Sequence, residues 1–356
     1  MKILHIISDT VLGGAQKVLI DLANSAVQDG NTVAVAAMKG GYLWEQLNPN
    51  VKQYQLKYML KKINLRDFLV LGELKKIKKE FSPDIIHLHT TKPGVLGRII
   101  FRKNKNHIVY TVHGFDVVRT EHRKFLPVEK FFQRFTGATV PVSKYDEKNL
   151  ISEKITKNLH TIYNGIDENL IKKAKNFPIQ IKESKIILTI ARISPQKKFD
   201  MFLEVAKEFQ NKDTAFVWIG GATDKTIEQI KEEYNVPENV YLLGDIPNAS
   251  NYINLCDIFV LFSHFEGLPM SIIEAMSQKK AIIASDVGGI CELVDYSNGA
   301  LIHSKEEAIQ EITDLLLDSA LLDKKNNTSY EKYKKNFTLT QMWKNYNELY
   351  KTLLKN

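Results

Sequence analysis

Two carboxylates eight positions apart, Glu266 and Glu274, bracket the run Glu-Gly-Leu-Pro-Met-Ser-Ile-Ile-Glu. The spacing alone says little, and the residues between carry the signal. Gly267 has no side chain to hold a ligand off the backbone. Pro269, after Leu268, suits the first helical position, where a missing N–H costs nothing. The apolar run Asp257–Ser263 ahead of them reads as a buried strand. Glu266 is therefore expected on the loop at a strand's carboxyl end, and Glu274 one to two turns into the next helix. In an open α/β sheet that edge is where ligands sit. Carboxylates there accept hydrogen bonds from hydroxyl groups, so Glu274 is expected to face a ribose and Glu266 a sugar.

A cationic pair stands at a comparable edge. The stretch Ile190-Ala-Arg192-Ile-Ser-Pro-Gln-Lys197-Lys-Phe-Asp200 leaves a strand and enters a helix. Arg192 offers a planar fork for phosphate oxygens, and Lys197 (or its neighbour Lys198) adds a point charge. Together they would neutralise a departing diphosphate. Gly13-Gly14 stand just before another helix, where free backbone N–H groups make an anion cradle. A dinucleotide fingerprint would need three glycines and an acid closing the second strand, and Val33–Met38 ends without one. A nicotinamide or flavin site is disfavoured. In Tyr110-Thr-Val-His113-Gly-Phe-Asp116 a histidine reaches a sheet edge, where a neutral imidazole could hydrogen-bond a sugar. His87 and His89 alternate on one strand and read as sheet and crevice wall. Metal binding by that pair would need further ligands.

These residues need strands to end where the loops begin. Short β-branched runs alternate with helical stretches along the first half. Strands are predicted at 2–8, 33–37, 84–89, 107–113 and 138–142, with helices at 15–28, 65–81, 94–103 and 121–135. The second half repeats the pattern. Strands are predicted at 186–190, 215–220, 240–243, 257–262 and 281–285, with helices at 199–210, 226–234, 250–255, 271–278 and 305–317. Such alternation argues for parallel βαβ units. The polar, lysine-rich stretch 168–184 is expected to link two domains. Trp343, Tyr346, Leu349, Tyr350 and Leu353 fall at helical spacing near the C-terminus.

At 356 residues the chain suits two domains better than one. Its 44% hydrophobic and 25% charged content is that of a globular protein. No run approaches the roughly 18–20 apolar residues needed to span a bilayer, and the first residues read as a strand, not a signal peptide. Cys256 and Cys291 lack metal-type spacing and are expected as core thiols in a reducing compartment. Charge is unevenly spread: residues 1–170 hold 26 Lys and Arg against 16 Asp and Glu, the remainder 23 against 25. Basic pairs recur at Lys61-Lys62, Lys75-Lys76, Lys78-Lys79 and Arg102-Lys103. They suggest an anionic partner for the first half, such as a lipid surface or a phosphorylated substrate.

The Glu266–Glu274 signature resembles that of retaining glycosyltransferases of family 4, and the resemblance runs from Gly13-Gly14 through Glu274 with the motifs in family order. It implies an α/β GT-B fold, two Rossmann-like domains facing a central cleft. The bounds expected are 1–167 for the acceptor domain, 168–184 for the linker, 185–339 for the nucleotide-sugar domain, and 340–356 for a helix crossing back to the first domain. It further implies His113, Arg192, Lys197 and Glu266 as catalytic residues. Donor contacts would come from Gly13, Gly14, Gly220, Gly267, Leu268, Pro269 and Glu274, with His89, Ser143 and Asn164 towards the acceptor or cleft. The donor would be a nucleotide diphosphate sugar, UDP-linked. The acceptor would be a saccharide, free or on undecaprenyl diphosphate, in surface polysaccharide synthesis. The leaving phosphate oxygen would itself help deprotonate the acceptor hydroxyl. No Asp-x-Asp occurs, so no divalent metal and no further cofactor are expected. Nucleic acid is not an expected partner. A cytoplasmic enzyme peripheral to the inner membrane face follows. Two other readings stay open: a nucleotide-sugar 2-epimerase of the same fold class, and a non-catalytic sugar-nucleotide-binding module.

Overall fold

A computed structural model describes residues 1–11, 13–60, 65–222 and 225–355. The basic pair Lys61-Lys62 lies outside the described residues. The chain forms two compact units, one of Met1–Gly165 with the stretch from Leu339 onward, the other of Ile166–Thr338.

The first unit is built on strands β1 (Lys2–Ile6), β2 (Thr32–Met38), β3 (Lys52–Leu56), β4 (Ile85–His89), β5 (Ile108–Val112) and β6 (Ala138–Pro141). All pair in parallel in the order β3-β2-β1-β4-β5-β6. Its helices are α1 (Gly14–Gln28), α2 (Leu43–Gln46), α3 (Asp67–Phe81), α4 (Thr91–Ile100), α5 (Leu126–Phe132) and α6 (Lys144–Ser152). The second unit repeats the plan with β7 (Lys185–Ile190), β8 (Thr214–Ile219), β9 (Val240–Leu242), β10 (Ile258–Leu261), β11 (Ala281–Ser285) and β12 (Gly299–Ile302). These also run parallel, in the order β12-β11-β10-β7-β8-β9. Its helices are α7 (Phe199–Lys207), α8 (Ile227–Tyr234), α9 (Met270–Ser277), α10 (Lys305–Leu317) and α11 (Ser319–Asn336). The last helix, α12 (Leu339–Lys355), belongs to the first unit. Parallel strands covered on both faces must be apolar throughout, and β10 and β11 are buried at every position. Each sheet reverses its winding direction once, between β1 and β4 and between β7 and β10. That reversal leaves a crevice at the strands' carboxyl ends.

Helix α12 packs through Met342, Trp343, Tyr346, Leu349, Tyr350 and Leu353, the i, i+3/i+4 stripe of an amphipathic helix. The Trp343 indole N–H donates to Asp29 Oδ2 at 2.5 Å, and the Gly165 N–H reaches Met342 Sδ at 3.3 Å.

Several expectations change. The helix predicted over 121–135 is broken: a π turn at Val117–Glu121 and a 3-10 turn at Arg123–Phe125 precede α5. Pro127, in the first turn of α5, cannot sit inside a continuous helix. The stretch 168–184 is not a free linker but part of the second unit. Ala174 exchanges hydrogen bonds with Asn251 O and Asn254 Nδ2 at 2.8 and 2.9 Å, and Phe177 stacks on Tyr252. Cys256 is buried and its thiol is pushed up to about 12 by desolvation, whereas Cys291 is exposed on a short 3-10 turn instead of lying in the core.

Candidate active site

In the second unit, the loops after β7 and β10 leave adjacent strands and are laced together. The His264 N–H donates to Gln196 O at 2.8 Å, and the Gln196 side-chain amide donates to Phe265 O at 2.9 Å. This lacing sets Lys197 against Glu266. Lys197 Nζ forms an ion pair with Glu266 Oε1, and the same oxygen accepts from Ser263 Oγ at 2.6 Å. Glu266 is only 8% exposed, so its charge has left bulk water and depends on these two donors. A third loop, after β11, closes on it: the Gly289 N–H donates to Glu266 O at 3.3 Å. Gly288 has φ +60°, and a Cβ there would stand 1.8 Å from Glu266 O. Only glycine fits. Below, Ser285 Oγ accepts from the Ser263 N–H at 3.1 Å. Ser263, Gln196, Ser285 and Gly288-Gly289 are site-shaping residues the sequence reading did not single out. The glycine pair just past β11 was the one available signal.

Helix α9 starts from the same loop. Pro269 is its N-cap, with extended ψ of 121°, so the first helical residue is Met270 and not Pro269 as expected. Gly267 and Glu274 are half-buried, and Leu268 is buried. Glu274 stands on the second turn, its carbonyl accepting from Ser277 Oγ at 2.8 Å. Arg192 follows β7 on a pinned backbone. Ala191 N–H donates to Ile219 O and Ile193 N–H to Gly221 O, while the Trp218 indole reaches Ala191 O at 2.8 Å. Gly220, at φ +131°, leaves no room for a Cβ, which would meet Ala191 O at 2.1 Å. The Arg192 guanidinium is exposed, with no hydrogen-bond partner among the described residues. Lys198 adopts a left-handed backbone (φ +41°) as the N-cap of α7. It is Lys197 that is brought to Glu266.

In the first unit, Gly13 is the N-cap of α1, with extended backbone, and both Gly13 and Gly14 are exposed. The loop before them is braced by Gln16 Nε2 donating to Asp9 Oδ1 at 2.6 Å. The sheet beneath carries an unusual polar seam. His5 lies opposite His87 on paired strands, and His89 opposite Thr111. All four are buried, on the side where α12 supplies two tyrosines. His87 is held between the Tyr350 hydroxyl at 2.6 Å and Thr111 Oγ1 at 2.7 Å, and Tyr346 joins Thr111 at 2.9 Å. His89 bridges His5 Nδ1 and His113 Nε2, at 3.1 Å each. His89 is therefore interior, not the crevice wall expected, because β4 is a central strand covered by α12. His113, just past β5, is half-buried and lines a cavity of about 190 Å³ with Thr90, Thr91, Val112, Phe115 and Glu129 among its walls. Burial pulls His113 down to about 4 and His5 to about 3. His87 and His89 lie well below the usual histidine value through burial and neighbouring imidazoles. The whole seam is neutral at pH 7.

Nitrogens of His5, His87 and His89 come within 4.8 Å of one another, so His5 supplies the third imidazole that the pair on β4 lacked. Both nitrogens of His87 and both of His89 are engaged in hydrogen bonds within the seam. Ser143 is a buried N-cap of α6, its Oγ accepting from the Asp146 N–H at 3.0 Å. Asp146 in turn accepts from the Phe115 N–H at 2.8 Å, so Ser143 acts on the His113 loop through the backbone. Asn164 is buried one residue before the unit boundary.

Residues 12–170 match the family described as Glycosyltransferase Family 4, and residues 171–336 match Glycosyl transferases group 1. The O-antigen biosynthesis glycosyltransferase WbnH of Escherichia coli is 27% identical over 324 residues, 88% of this chain and 89% of that protein. An Escherichia coli UDP-Gal:alpha-D-GlcNAc-diphosphoundecaprenol alpha-1,3-galactosyltransferase is 27% identical over 343 residues, 88% of each. Among solved structures, Anabaena Alr3699/HepE in complex with UDP and glucose superposes with a TM-score of 0.86, at 21% identity and 98% coverage of both chains. The chain belongs to the family 4 glycosyltransferases of GT-B fold.

Proposed function

We propose that this glycosyltransferase moves a hexosyl or N-acetylhexosaminyl group from a UDP-linked donor to a saccharide carried on undecaprenyl diphosphate, with retained configuration, during synthesis of a surface polysaccharide. One observation carries the reading: the desolvated Lys197–Glu266 pair at the winding reversal of the second sheet, with Arg192 exposed at the end of the neighbouring strand. On donor binding, Lys197 and Arg192 neutralise the diphosphate, Glu266 meets the sugar, and Glu274 accepts from the ribose hydroxyls. The anomeric carbon–oxygen bond to phosphate breaks and the acceptor oxygen bonds to that carbon on the same face. The acceptor proton passes to the leaving phosphate oxygen. The two cations and the free first-turn amides of α9 do the work a divalent ion would otherwise do, so none is required. The Escherichia coli galactosyltransferase, named for a UDP-Gal donor and a diphosphoundecaprenol-linked acceptor, supports this choice of donor and acceptor. NMR of the product tests the reading: the donor's anomeric configuration should be kept, and transfer should survive excess EDTA. An inverted product, or activity lost to EDTA and restored by manganese, overturns the corresponding part. An acceptor-free screen that yields an epimerised sugar overturns transfer itself.

The acceptor's lipid implies an anionic membrane surface as a partner, and α3 supports it. Phe68, Gly72, Lys75, Lys76 and Lys79 follow one stripe of this helix and are exposed, and Leu65 and Leu69 are exposed beside Phe68. Apolar side chains near one end and lysines along the rest suit a helix lying on a headgroup layer, where each lysine contributes roughly 1 kcal/mol. Lys78 is not part of that face. It is half-buried over the Phe101 ring, donates to Ile100 O at 3.3 Å, and is pulled below the usual lysine range by burial and then by Lys103. No helix among the described residues is long and apolar enough to cross a membrane.

A further inference from the structure

The buried histidine seam determines which proton His113 presents. In the chain His5 Nδ1···His89 Nε2 and His89 Nδ1···His113 Nε2, each contact holds one proton. Three neutral imidazoles carry three protons, so the whole row must point one way or the other. The row ends inside the protein at His5 Nε2, which is buried and has no hydrogen-bond partner among the described residues. If the protons point inward, His5 strands an N–H there. If they point outward, His5 leaves only a bare lone pair. Orphaned buried N–H groups are rarer in folded proteins than under-satisfied acceptors, so the inward direction, which strands the proton, is the disfavoured one. The outward direction wins: His5 Nδ1–H donates to His89, His89 Nδ1–H donates to His113 Nε2, and the third proton sits on His113 Nδ1. That nitrogen makes no hydrogen bond with the described residues, on a side chain that lines the cavity.

We propose that His5 and His89 are positioning residues that lock His113 as its Nδ1–H tautomer, so that a neutral imidazole serves the bound ligand as a hydrogen-bond donor and not as a base. The tautomer follows from the seam alone; that a sugar or acceptor oxygen receives the bond rests on the glycosyl-transfer reading above. The second row, His87 with Thr111, Tyr346 and Tyr350, supports the first by packing: the His87 and His89 rings lie 4.0 Å apart between centroids. A ring so enclosed cannot flip to exchange its nitrogens without opening the sheet.

Long-range ¹H–¹⁵N spectra of the intact protein, labelled at histidine, test the tautomer directly, with His113→Gln assigning the signal. His113 is expected to show a protonated Nδ1 and a bare Nε2 at pH 7. The reverse pattern, or an equal mixture, overturns the lock and needs no variant to fold. His5→Asp then tests its use. An ionised carboxylate can only accept, so wherever the spectrum of this variant shows His89 protonated at Nε2, His113 must donate from Nε2, leaving Nδ1 bare. Turnover is expected to fall about tenfold, the scale of one directed hydrogen bond, while His5→Asn, whose amide can still donate, stays near wild type. A reversed tautomer with unchanged turnover overturns the donor role and leaves the glycosyl-transfer reading standing. Absence of transfer in the wild-type protein, with the expected spectrum, overturns that reading and leaves the lock standing.

Discussion

The two sheets share one strand order and answer the same task in opposite ways. At the reversal of the second sheet the strands are apolar and the chemistry sits on the loops beyond them, as an ion pair of Lys197 with Glu266. At the reversal of the first sheet the polar groups lie within the strands, and all are neutral. Charge on a loop can exchange a protein partner for a substrate's phosphate. Charge inside a central strand could not, since burial without full pairing costs several kcal/mol. A seam of neutral imidazoles avoids that cost and still carries direction. One unit offers charge, the other a directed proton.

The sharpest way to break the comparison is to remove the charge from the loop. Lys197→Ala should lower turnover by roughly 10²–10³, the scale for losing one charge-stabilising donor. Among the described residues Glu266 would also keep only Ser263 as a side-chain donor, so the binding of nucleoside diphosphate should weaken as well. A folded variant with wild-type turnover would remove Lys197 from the mechanism and leave the pair as a structural brace.

Acid attacks the other side. His5 and His113 have folded values of about 3 and 4, both below the ordinary 6.5, and His87 and His89 shift in the same direction. Below pH 6.5 the unfolded chain takes up protons that the folded seam refuses, so stability falls as pH drops. The slope is on the order of 1 kcal/mol per pH unit for each withheld proton. Thermal melts from pH 7.5 to 5 should show a steep loss beginning near 6.5. A melting temperature flat across that window would mean the imidazoles protonate in place.

How far the chain could be read ahead of its structure follows the same divide. The loop site was legible because β10 is a continuous apolar run and Glu266, Gly267 and Pro269 punctuate its end. The seam was not, because His5 gains meaning only from the register that sets it opposite His87. Nothing local to Met1–Ser8 announces it. Edge elements escaped for a related reason. β3 (Lys-Gln-Tyr-Gln-Leu) is mostly exposed, and β12 opens on glycine, so neither shows the buried-strand pattern. Helix α11 is polar along most of its length and is held partly by Lys325 donating to Tyr296 O and Gly299 O. Such contacts leave no periodicity in the sequence.

Within the charged site the two glutamates should separate. If Glu274 accepts from the ribose, Glu274→Gln should weaken nucleoside diphosphate binding about tenfold, the scale of one hydrogen bond to a charged group. Glu266→Gln should instead act mainly on turnover with the full sugar donor, since its carboxylate is already paired with Lys197. Calorimetry with the bare nucleoside diphosphate distinguishes them. Equal affinity losses would contradict the division.

The smallest expected effect tests whether the neutral seam is scaffold or machinery at its far end. Tyr350 donates or accepts at His87 Nδ1, in the row that does not reach His113. Tyr350→Phe keeps the ring and its packing but strands that nitrogen. The cost should be about 1–3 kcal/mol, the desolvation of one unpaired buried polar group, seen as a modest drop in melting temperature. Turnover measured well below the melt should not change, because the proton row from His5 through His89 to His113 is untouched. If turnover falls with stability intact, the two rows are coupled and the first unit's chemistry extends to α12. If neither moves, Tyr350 is held by its ring alone, and the hydroxyl adds nothing to the seam.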